Sequence, residues 1–149
     1  MRRATAARRA SGRWASEARL WLELAKGAQS RGHGWTISYY CSGFAVELML
    51  KAIYLRQQKL DAWPAEMRGG KWHEIERLSR SCRLAQAVSA ASRSSRPFAG
   101  AWAVVRDWKS EARYPDVRVD RTTAEDTFLA VSDPAWGVFQ WLMSRYQRI

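Results

Sequence analysis

Apolar residues recur at intervals of three and four along nearly the whole chain, the spacing that lines up side chains on one face of an α-helix. Trp14, Ala18, Trp21, Leu22, Ala25 and Ala28 predict a first amphipathic helix ending near Gly27–Gly34. Ile37, Tyr40, Cys41, Phe44, Leu48, Ala52 and Leu55 predict a second. The other side of that helix carries Val46, Met49, Leu50 and Tyr54, and a helix apolar nearly all round belongs at the centre of a fold. A loop rich in breakers follows, from Trp63-Pro64 to Gly69-Gly70, and Ile75, Leu78, Cys82, Ala85 and Val88 then mark a third helix. After a polar linker from Ser92 to Arg96, Pro97 suits the first turn of a fourth helix. Phe98, Trp102, Val105, Trp108 and Ala112 form its inner face, and Pro115 closes it. Thr122-x-x-Glu125 reads as a capping box opening a fifth helix, which continues through Phe128, Val131, Ala135, Val138 and Leu142. Pro134 either interrupts that run or restarts a separate helix. No period-two run of β-branched residues competes. The expected fold is all-α, a single bundle of about five helices. Ile37, Phe44, Leu48, Leu78, Trp102, Val105 and Trp108 are expected in its core.

Composition and charge add a second layer. A chain of 149 residues with 47% hydrophobic residues is long and apolar enough to bury one core. Lysine and arginine number 25 against 14 acids, a formal charge of +11, and the excess is uneven. Arg2, Arg3, Arg8, Arg9 and Arg13 fall among the first thirteen residues with no acid and little besides alanine and serine. That stretch is expected to be a flexible basic arm, 1–13, ahead of the helical domain 14–149. Phosphate contact with nucleic acid is one use for such an arm. A solvated extension is the plainer one, and the composition also fits a mitochondrial transit peptide. No membrane span is expected, because the greasiest stretch, Gly43 to Leu55, is cut by Glu47 and Lys51. No apolar signal run follows the N-terminal arginines. Cys41 and Cys82 stand alone and read as buried thiols of a reducing compartment, so the expected localisation is cytoplasmic. With only His33 and His73, there is little scope for a metal site, and neither metal nor cofactor is expected.

Common catalytic signatures are missing. There is no G-x-S-x-G; Ala65 stands where a P-loop ending at Lys71 needs its first glycine; and Arg77 replaces the second histidine of H-E-x-x-H. Three local patterns stand out instead: Ser42 to Ala52 on the second helix, Trp72 to Leu78 at the start of the third, and Trp108 to Asp116 at the end of the fourth. Each has a plain structural use. Glu47 and Lys51 form a favourable i, i+4 pair, or partly buried polar groups facing a neighbouring helix. His73 caps or packs at a helix start, Arg113 complements a helix dipole, and Tyr114 before Pro115 packs over a helix end. Trp21, Trp102 and Trp108 read as core, whereas Trp35, Trp63 and Trp72 lie near loops, where they could stack a base or fill an interface.

In this order, Glu47-x-x-x-Lys51-Ala52, His73-x-Ile75-x-x-Leu78 and Ala112-Arg113-Tyr114-Pro115-Asp116 resemble the motifs of the HEPN family of small helical domains. The resemblance covers roughly residues 14–146. It implies an up-and-down helical bundle, frequent dimerisation and association with nucleotides or RNA. It also implies a partner such as the minimal nucleotidyltransferases found beside family members in toxin–antitoxin pairs. On that resemblance Lys51, Arg113 and Tyr114, with the basic arm, would contact phosphate or nucleotide. Glu47, His73 and Pro115 would be structural parts of the motifs. Other family members are ribonucleases using Arg-x(4–6)-His, where arginine holds the scissile phosphate and histidine assists proton transfer. The one formal match here is Arg68-x4-His73, with Gly69 and Gly70 inside it, so cleavage is not expected. The alternatives are a metal-independent endoribonuclease using Arg68 and His73, and a structural adaptor with no nucleic-acid role. A homodimer or heteromer is expected, with Trp136, Phe139 and Trp141 of the last helix contributing.

Overall fold

A computed structural model describes residues 2–31 and 34–149; Met1, Gly32 and His33 lie outside the described residues. Among them the fold is all-α, with α1 Arg2–Ser30, α2 Trp35–Gln58, α3 Ile75–Ser81, α4 Ala85–Ser94, α5 Arg96–Arg106, α6 Arg121–Ser132 and α7 Val138–Gln147. Short 3-10 turns cover Ala65–Met67, Gly70–His73 and Ser110–Arg113. No described helix is long and apolar enough to cross a membrane.

The centre is α2, as its apolar circumference requires. Its middle is buried on every side, from Ala45 through Ile53, and α1, α3, α6, α7 and the turn at 110–113 all pack against it. Of the expected core, Leu48, Leu78, Trp102, Val105 and Trp108 are buried and Phe44 is half-buried. Ile37 is not: it sits in the first turn of α2 at 61% exposure. Its spacing fits the stripe, but helix ends project beyond the layer that covers the middle.

Among the described residues there are seven α-helices where about five were expected, because two long periodic stretches are broken. In the third, Arg83 adopts a left-handed backbone (φ 56°). The Leu84 N–H reaches back to the Ser79 carbonyl at 3.0 Å, a C-terminal cap that ends α3 before α4 restarts. In the fifth, α6 ends at Ser132, and the Asp133 carboxylate takes the N–H groups of Ala135 and Trp136 around Pro134. The capping box at Thr122 is also corrected. Asp120 caps α6 by accepting from the Thr123 N–H at 2.8 Å, and Glu125 pairs with Arg121 instead. The fourth helix stops at Arg106, so Trp108 and Ala112 bury themselves from the chain beyond it.

The basic N-terminal stretch is not a separate flexible arm. It is the opening part of α1, with Ala7, Ala10 and Ser11 buried. Ser11 Oγ lies 3.3 Å from the Tyr146 hydroxyl of α7. Alanine and arginine are both strong helix formers, and the small residues recur where a close neighbour needs them. The arginines between them point to solvent.

Candidate functional site

Two of the three sequence patterns meet in the core. Glu47, midway along α2, is fully buried. Its Oε1 accepts from Lys51 Nζ, one turn on, at 2.7 Å and from His73 Nδ1 at 2.9 Å. Lys51 is itself 6% exposed, with its ammonium 5.1 Å from the Trp63 ring centre and 6.0 Å from that of Trp14. The aromatic faces offset part of what the cation loses on leaving water. Trp63 is fixed in place by donating its indole N–H to the Met67 carbonyl at 2.6 Å. Glu47 Oε2 has no hydrogen-bond partner among the described residues.

His73 ends the 3-10 turn that follows Gly69, whose φ of 86° suits glycine alone. The ring is 25% exposed, and it lines an open cleft of about 690 Å³. The cleft runs from Gly70–Glu76 across to the end of α5 and the turn bearing Arg113 and Tyr114. That opposite wall is set by Trp108, whose ring lies directly on Gly43 where a β-carbon would collide. Its indole N–H donates to the Tyr39 carbonyl at 3.2 Å, and the Lys109 N–H donates to the Tyr39 hydroxyl at 2.9 Å.

Arg113 is exposed, stacks 4.9 Å from the Tyr114 ring centre and donates to the Tyr114 hydroxyl at 3.1 Å. Tyr40, packed on Trp108 and Phe44, feels the charge of both this arginine and the buried carboxylate. Burial, then the Glu47 charge, push its phenol above the ordinary range, while Arg113 draws it down by charge and a hydrogen bond. Lys71, Arg106, Lys109 and Arg113 are matched around the cleft by Glu74, Glu76, Asp107 and Glu111. Mixed charge of this kind suits a ligand carrying both a phosphate and hydrogen-bond donors better than a bare polyanion.

The structure therefore brings His73, Arg113 and Tyr114 to one cleft, with Glu47 beneath His73. Lys51 is not among the lining residues; its ammonium is committed to Glu47 and the indoles, which removes it as a surface phosphate contact. Pro115 is exposed in the turn after Tyr114. Arg68 is exposed on extended backbone, and it neither lines the cleft nor bonds to His73 among the described residues. Of the loop-side tryptophans, Trp63 is buried under Lys51, Trp35 carries Arg121 on its ring, and Trp72 lies between Lys71 and Arg77. Tyr40 was missed as a site residue because its place in the apolar stripe reads as core; it is seven residues, two turns, before Glu47 on the same face. Lys71 and Lys109 were passed over because nothing in the sequence pairs them across 38 residues. Burial pushes the Cys41 and Cys82 thiols up to about 11 and about 12, so both are unreactive at neutral pH. No cluster of three metal-ligating side chains occurs among the described residues. Comparison with known families, curated proteins and solved structures finds no match to this chain.

Proposed function

We propose that the protein is a HEPN-like helical module that binds a nucleotide or an RNA end in the cleft and performs no strand cleavage of its own. One convergence supports this most: residues from three patterns far apart in sequence come together, with His73 lining the cleft, Glu47 and Lys51 buried behind it, and Arg113 and Tyr114 on the exposed wall opposite. Arginine presents a planar fork that grips one phosphate with two hydrogen bonds. Tyr114, 49% exposed, offers a ring on which a base can stack. The acids facing them can accept from ribose hydroxyls and base amines.

Titration calorimetry with nucleoside monophosphates and triphosphates tests it. Arg113→Ala is expected to weaken binding by about 1–3 kcal/mol, the range for a charge-assisted bond. Unchanged affinity in a folded variant returns Arg113 to a structural role. The same protein, incubated with structured and single-stranded RNA in EDTA, is expected to leave both intact. Cleavage that disappears in both Arg68→Ala and His73→Ala would instead establish the ribonuclease reading. A second copy, or a nucleotidyltransferase, is the expected partner.

A further inference from the structure

The outer side of α1 carries a feature separate from the cleft. Arg9 and Arg13, one turn apart and both exposed, line an open groove of about 620 Å³ between α1 and the chain at Asp61 and Ala62. Asp61 is the one acid on that groove, and α1 has none before Glu17. Next to it, between α1 and α2, lies a pocket of about 240 Å³ walled by Trp14, Trp21, Phe44 and Leu48, with Arg13 and Glu17 at its rim. Trp21 and Phe44 meet edge to face at 4.8 Å, which fixes both rings. The pocket is smaller than a drug-sized ligand site and suits one planar ring system. Arg13 belongs to both features.

We propose that the groove and the pocket together form a docking track for a single strand of RNA. Backbone phosphates lie on Arg9 and Arg13, and one unpaired base enters the aromatic pocket. Pairing a charged groove with aromatic walls is how proteins hold single strands, because the groove follows the phosphates and every base has a π-face. A duplex satisfies only half of the site, since its bases reach the pocket only after unpairing. Taking RNA as the nucleic acid rests on the function proposed above; the track itself does not use the cleft.

The test is fluorescence anisotropy with a labelled 12-nucleotide RNA free of self-complementarity, compared with the same RNA annealed to its complement, over a series of salt concentrations. The single strand is expected to bind at least about tenfold more tightly than the duplex, as loss of one stacked base implies. Arg9→Gln/Arg13→Gln, both solvent-exposed positions, should lower the slope of log affinity against log salt by about 1.4, or ~0.7 per phosphate contact. Photocross-linking of 5-iodouridine RNA to the unaltered protein should label the tryptic peptides 14–19 or 20–26, with no variant that must fold. Equal binding of strand and duplex, an unchanged slope in the double variant, or cross-links confined to the cleft peptides would each overturn the track. The two ideas fail separately: strand binding by the unaltered protein without nucleotide binding removes only the cleft ligand, whereas strand binding that is lost in Arg113→Ala would place the strand in the cleft and overturn the track.

Discussion

A carboxylate inside a protein is tolerated only when its charge is answered, and Glu47 is answered by Lys51 and His73 on one oxygen. Removing the negative partner strands a buried ammonium between two indoles. Glu47→Gln is therefore expected to cost about 3–5 kcal/mol of stability at neutral pH, read as a lower urea midpoint. A change below about 1 kcal/mol would mean that the ion pair contributes little net energy. The i, i+4 spacing of Glu47 and Lys51 was legible in the sequence, because a helix repeats every 3.6 residues. Their partner His73 was not, since it arrives 26 residues later through a loop with no periodicity to follow. Nor was the fate of Lys51: an amine in an apolar neighbourhood can reach out to water or be sealed in, and the sealing here depends on where Trp14 and Trp63 land.

At the scale of the element, local chemistry overrode periodicity. The stripe from Ile75 to Val88 is continuous in sequence, yet the left-handed turn at Arg83 divides it while keeping Cys82 and Leu84 buried. Asp120 opens α6 ahead of the Thr122 signal because its carboxylate reaches the Thr123 N–H, and that bond holds it below its ordinary value of 3.8. The folded state thus favours the ionised cap. Its contribution is whole above the ordinary value and disappears as pH falls through the depressed one. Asp120→Ala should melt below the parent protein at pH 7, and the gap should close in acid; a gap independent of pH would assign the loss to something other than the charged cap. The first helix carries the same lesson in reverse. Its arginines suggest a disordered arm by charge alone, but Ala7, Ala10 and Ser11 recur at the helical interval on the buried side. The all-α class and the central place of α2 were legible, whereas the breaks depended on single backbone angles and caps.

Across the whole molecule, apolar side chains remain in water on several faces: Leu20 and Leu24 one turn apart on α1, Ile37 on α2, and Val104 and Leu129 on a shallow groove with Trp136. Phe139, expected to help cover an interface, is buried within the bundle, and Trp136 and Trp141 are half-buried. Self-association is expected from these faces rather than from the last helix alone. Light scattering at roughly tens of micromolar should then give about twice the 17.1 kDa chain mass. The mass of one chain, with no partner copurifying, would count against it.

The contact between Ser11 and the Tyr146 hydroxyl joins residues 135 positions apart. Closing a loop of that length costs more chain entropy than pairing neighbouring helices, so such a contact forms late in folding. A bond made after the rate-limiting step restrains unfolding and leaves the folding rate nearly alone. The hydroxyl that ties α1 to α7 is therefore a latch on the folded state rather than a guide to it.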